Sequence, residues 1–124
     1  MELIDRIEQF TQDNRNFMYI DFSKIKTNEG FLKFIEFLEP IISNNPEASL
    51  YMIIDIEDIR FDSNTNEIIV KHLEHNKPYV KFSVVLGLDG IKKICVNNLF
   101  KMAKCGNLHF AFSKERAIEW LVER

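Results

Sequence analysis

The chain has 124 residues, 46% of them apolar and 28% charged, enough for one domain that buries its own core without metal or disulfide support. A formal net charge of −3 argues against a general nucleic-acid binder. No segment approaches the roughly 18 uninterrupted apolar residues of a membrane span, so no membrane span is expected. Eleven phenylalanines point to a bulky interior. Cys95 and Cys105 lie ten apart without a CxxC pattern, which fits reduced thiols in a cytoplasmic protein. The opening MELIDRIEQF carries Glu2, Asp5, Arg6 and Glu8 and is not expected to act as a signal peptide.

In chain order, the first segment, Glu2 to Thr11, reads as a short helix-like stretch, and residues 1–15 as an N-terminal extension to a domain spanning 16–124. FMYIDF (17–22) then reads as a strand. From Thr27, apolar Phe31, Phe34, Ile35, Leu38 and Ile42 recur at helical spacing, with Lys33, Glu36 and Glu39 on the opposite side. Pro40 should bend this helix or shorten its last turn, and NNPEA (44–48) ends it. SLYMIIDI (49–56) is a near-continuous apolar run, the mark of a strand covered on both faces. A second helix follows FDSNTN (61–66) and stops near Lys77, ahead of Pro78. YVKFSVVLG (79–87) is the third strand. The third helix runs from about Gly90 to Ala103, with Ile91, Ile94, Cys95, Leu99 and Met102 assigned to one apolar face. NLHFAF (107–112) is the fourth strand. Ser113 caps a last helix that carries Ala117, Ile118 and Leu121. Strands alternating with helices imply one α/β domain: a four-stranded, mainly parallel sheet flanked by helices.

FDSNTN poses the main functional question. Asp, Ser, Asn and Thr all cap helices, and Asn64 with Glu67 has the spacing of a capping box. The wider frame is an apolar strand running into Asp55, Asp58, Ile59, Phe61, Asp62 and Ser63, then a helix. It resembles the strand–loop–helix of STAS domains (sulfate transporter and anti-sigma factor antagonist), where a D-S-S/T-G stretch opens a helix. In antagonist members the residue after D-S is the serine or threonine that a kinase phosphorylates. Here that position is Asn64, and Thr65 stands for the glycine, so the resemblance implies a loop without its switch residue. The second half is similar to the SpoIIAA-like family of small bacterial proteins, also described as STAS/SEC14-like. His75, Asn76, Lys77, Pro78, Tyr79 and Val80 carry that similarity first. Gly87, Gly90, Lys92, Lys93 and Ile94 follow, then Phe112, Glu115, Ala117, Trp120 and Leu121. The resemblance covers roughly Phe17 to Leu121 and implies a fold shared with STAS and CRAL-TRIO lipid-binding domains. It implies no established activity.

GLDG (87–90) ends the third strand and opens a helix. With strand order 2-1-3-4, the loops after the first and third strands would form a crevice at the switch point. Lys24 and Lys26 on one side would then face Gly87, Asp89, Gly90, Lys92 and Lys93 on the other, a candidate anion site at a helix N-terminus. The plainer reading is a tight turn with Asp89 as N-cap. His72, between Ile68, Ile69 and Leu73, reads as a core histidine with one satisfied nitrogen, and no metal is assigned. Lys92, Lys93, Lys101 and Lys104 make the third helix basic, with no acid after Asp89. That stripe is either a solvated face or a docking surface for an acidic partner or anionic lipid head group. No nucleophile–base pair or carboxylate pair has the spacing of a catalytic site.

The function expected from these features is a non-enzymatic regulatory or protein-interaction module without a cofactor. Its reading surface would be the loop Asp62, Ser63, Asn64, Thr65 with the helix that follows. The alternative is a carrier of a small hydrophobic or lipid-like ligand, in a cavity between helix and sheet. A cavity lined by the surplus phenylalanines would favour the carrier; a filled core with an exposed apolar patch would favour the module. The oligomeric state stays open, a homodimer included.

Overall fold

A computed structural model describes residues 2–57 and 59–124; Asp58, part of the motif quoted above, lies outside the described residues. The chain opens with a single 3-10 turn, Leu3–Arg6, and enters strand β1, Ile7–Gln12. This corrects the helix-like reading of residues 2–11. Ile7 and Phe10, three apart, suit a helix face, yet along a strand they project to opposite sides. Ile7 packs into the larger core cluster and Phe10 into the smaller one on the other face. Asp13 and Asn14 then turn the chain back with φ of 51° and 60°, so a two-residue hairpin with both residues left-handed joins β1 to β2, Arg15–Asp21.

After β2 come α1, Asn28–Ser43, and β3, Leu50–Asp55. Then follow α2, Ser63–Asn76; β4, Val80–Leu86; α3, Gly90–Met102; β5, Leu108–Ala111; and α4, Lys114–Leu121. Among the described residues the sheet has five strands in the order β1-β2-β3-β4-β5. The extra strand over the expected four is β1, antiparallel to β2, while β2 through β5 are parallel. Spatial order equals chain order, so the expected 2-1-3-4 arrangement is wrong: β3 separates β2 from β4, and no switch point lies between them.

Each connection steps to the next strand, and α1, α2 and α3 gather on one face of the sheet. Phe31, Phe34, Ile35, Leu38 and Ile42 of α1 lie there with Leu73 of α2 and Val96, Leu99 and Phe100 of α3. They cover Met18, Ile20, Met52 and Val85 from the strands. On the other face α4 lays Ala117 and Leu121 against Phe17, Tyr51, Ile53, Val84 and Leu86. The strand residues thus alternate between two cores, which is why β3 and β4 read as continuous apolar runs. Thr27, Asp62, Asp89 and Ser113 cap the four α-helices, each accepting from a backbone N–H three residues on.

The α3 face departs from the sequence reading. Leu99 is buried as expected, but beside Val96 and Phe100, whereas Ile91, Ile94 and Met102 are 77%, 63% and 65% exposed. Two apolar stripes share this helix, and the sheet takes the one bearing Phe100.

Candidate functional site

The FDSNTN loop is a helix N-terminus built on Asp62. Its carboxylate accepts from the Thr65 backbone N–H at 2.9 Å, and that bond holds the carboxyl below its ordinary range. Asn64 is therefore not the cap expected for it; it lies in the first turn of α2, exposed beside exposed Ser63. Thr65 is 3% exposed, and its hydroxyl donates to Asn28 Oδ1 at 3.2 Å, tying the start of α2 to the start of α1. The four residues are thus divided: Asp62 and Thr65 build structure, and Ser63 and Asn64 face outward.

Lys24 and Lys26 do not meet the GLDG turn. Their loop lies beside the one after β3, and together these frame an open cleft of about 770 Å3 whose lining includes Lys24, Lys26, Asn28, Arg60 and Thr65. The crevice expected between Lys24, Lys26 and Gly87–Lys93 does not form, because β3 and its loop stand in between. Gly87 takes φ +73°, a left-handed turn position that suits glycine, and Asp89 accepts from the Lys92 N–H. Lys92 Nζ donates to the Glu57 carbonyl at 3.1 Å, and Lys93 leans over the rings of Phe110 and Phe112. GLDG acts as a capped turn, with its two lysines directed to different neighbours.

A buried polar chain links α1 and α2. His72 Nδ1–H donates to Glu39 Oε2 at 2.8 Å, and Asn76 Nδ2 donates to His72 Nε2 at 3.0 Å. Asn76 Oδ1 in turn accepts from His75 Nδ1 at 2.9 Å. Both His72 nitrogens are engaged, one more than expected, and Glu39 is a partner rather than a solvent-side residue. Burial pushes the His72 imidazole below its ordinary value, and the bond from His72 lowers the Glu39 carboxyl. A neutral ring donating to an ionised carboxylate satisfies both directions. Across the sheet, burial, then the carboxylates of Asp55, Asp21 and Glu8, push the Tyr19 phenol up to about 12. Burial also raises the Cys105 thiol, whose Sγ–H reaches the Leu73 carbonyl at 3.6 Å. These groups fasten elements to one another.

Between α2, α3 and the sheet lies a space of about 50 Å3, lined by Phe22, Phe31, Ile54, Phe61, Ile69 and Val96 among others. A more open one of about 230 Å3 adjoins it and shares Met52, Ile54, Leu73 and Phe100. The outside is less well covered. Phe112, 92% exposed, stands just past β5, with Lys93 of α3 over its ring. On the α4 side of the same strand, an open groove of about 530 Å3 runs along His109, Phe110, Ala111 and Phe112 to Arg116, Glu119 and Trp120. His109 stacks on Trp120 with centroids 4.1 Å apart, and the Arg124 guanidinium lies 3.9 Å from the same ring. The sequence contained every residue of this surface, but the signal lay in the doubled apolar stripe of α3, which periodicity alone assigns to either side.

With strand order and helix placement established, the chain can be set beside solved structures. One similar structure is described as an anti-sigma-factor antagonist (STAS) domain protein from Planctomyces limnophilus. It superposes with a TM-score of 0.57 over 93% of this chain and 97% of that one, at 9% identity. The fold is that of a STAS domain. At that identity the likeness speaks for the fold alone. No family model matches the chain, and no curated protein does. Among the described residues no helix is long and apolar enough to cross a membrane.

Proposed function

We propose that this STAS-type domain is a non-enzymatic protein-interaction module of regulatory type, acting in the cytoplasm. The observation that carries the reading is where unsatisfied apolar surface lies. The apolar space between helices and sheet is about 50 Å3 and the one adjoining it about 230 Å3, each below the roughly 300–1,000 Å3 of small-molecule pockets. Ile91, Ile94 and Met102 on α3 and Phe112 just past β5 meanwhile stand in solvent. Exposed apolar surface of this kind, where it gathers, marks association sites. The protein described as an anti-sigma-factor antagonist supports a regulatory setting by fold analogy only. The lack of a hydroxyl at Asn64 supports a module that works by shape rather than by phosphorylation there.

Native mass spectrometry of the chain purified from its own cells tests this. The expected species is the chain carrying a second polypeptide in fixed ratio. A stoichiometric lipid or other small hydrophobic adduct would replace the module reading with that of a carrier.

A further inference from the structure

We propose that the β5 edge, between α3 and α4, is a docking site for an extended, acidic segment of another protein, which adds to the sheet as a sixth strand. The proposal rests on the interaction-module reading and gives it a surface and a partner chemistry.

β5 is the parallel edge of the sheet and, among the described residues, pairs with β4 alone. The Asn107 carbonyl accepts from the Ser83 N–H, so it points towards β4. Backbone groups alternate in direction along a strand, so those of Leu108 and Phe110 point away from the sheet. An unpaired edge of this kind is a template for another chain. Side chains flank it on both faces. On the α3 side Lys93 Nζ sits 5.8 Å from the Phe110 ring centre and 5.9 Å from that of Phe112. On the α4 side runs the groove floored by Ala111 and walled by Trp120.

Charge selects the occupant. Lys93 stands over the rings at β5, and α3 adds Lys101, with Lys104 just beyond, and no carboxylate after its Asp89 cap; Lys92 is turned to the Glu57 carbonyl. In the α4 wall Arg116 and Glu119 pair with each other at 3.5 Å, leaving that side without a matching excess. A segment that alternates acidic and apolar residues therefore fits: acids towards the α3 lysines, apolar side chains towards the groove, and an anchor against Phe112. A second copy fits badly. Two β5 edges joined about a two-fold axis normal to the sheet would set α3 beside α3, lysines facing lysines. A bilayer offers no backbone partner to Leu108 and Phe110, and exposed sheet edges do not occur in hydrocarbon.

The test pans random linear peptides against the full chain and carries the best binder, as a synthetic peptide, into amide hydrogen exchange. Enrichment of alternating acidic and apolar residues is expected, with slowed exchange at Leu108 and Phe110. Binding should weaken about tenfold in Phe112→Ala and in Lys93→Glu, as for a buried aromatic anchor and a steering charge, with the Phe112→Ala denaturation midpoint unchanged. Recovery of no acidic alternating peptide would overturn the proposal, as would undiminished binding to both variants. So would protection of Leu108 and Phe110 by self-association, or by phosphatidylserine vesicles alone. Protection that falls on Ser63–Asn76 instead removes the β5 site and leaves the module reading intact. A stoichiometric lipid in native mass spectrometry removes the module reading itself.

Discussion

His72 shows how much a single side chain can tie together. It sits in the interior with one nitrogen on Glu39 of α1 and the other on Asn76 of its own helix. Its folded-state affinity for a proton is depressed from the ordinary 6.5, so the unfolded chain binds that proton more readily. Stability from this group is complete above about pH 6.5 and falls as pH drops below it. The lowered Glu39 carboxyl acts in the same direction further down, its share being lost as pH falls below the ordinary 4.5. Urea midpoints measured at about pH 7.5 and about pH 5 should therefore decline for the native chain, and the decline should shrink in His72→Leu. An equal decline in both would place the acid sensitivity elsewhere. Thr65 gives a second test: its hydroxyl is buried and bonded to Asn28, so phosphopeptide mapping of protein from its own cells should find Thr65 unmodified. Stoichiometric phosphate there would mean that α2 opens at its N-terminus. Sequence reading placed His72 inward because Ile68, Ile69 and Leu73 surround it. Glu39 escaped because a carboxylate opposite an apolar stripe reads as solvated until a second helix is packed beside it.

Elements with one apolar stripe were legible, and elements with two were not. On α1, Leu38 is wholly buried at the position its periodicity assigns, and Leu38→Ala should cost about 2–5 kcal/mol in denaturation if the site cannot collapse. On α3 the stripe through Ile91, Ile94 and Met102 competes with that through Val96, Leu99 and Phe100, and spacing ranks neither above the other. Packing on the sheet buries the stripe that carries Phe100. Phe100→Ala should accordingly cost about 3–5 kcal/mol, while Ile94→Ser should leave the midpoint nearly unchanged. The reverse order in urea titrations would restore the original face. β1 was obscured for a related reason, since Ile7 and Phe10 satisfy helical spacing while serving two different cores. Asp13-Asn14 was the local sign of a hairpin, a two-residue turn between alternating segments.

At the scale of the whole molecule, the alternation of strands and helices identified an α/β sheet, but strand order was beyond reach. Every order of four parallel strands satisfies the same local pattern, and only packing chooses among them. The realised order puts three helices on one face and α4 on the other, builds a core on each, and leaves β5 as an edge beside the basic α3. The central claim is that this side of the molecule meets another protein. In-cell photocrosslinking tests it most directly, with a benzophenone amino acid at exposed Phe112 and, as a control, at exposed Asn64. The account predicts a discrete protein adduct from position 112 that is weak or absent from position 64. No protein adduct at 112, or one that forms at 64 alone, would contradict it.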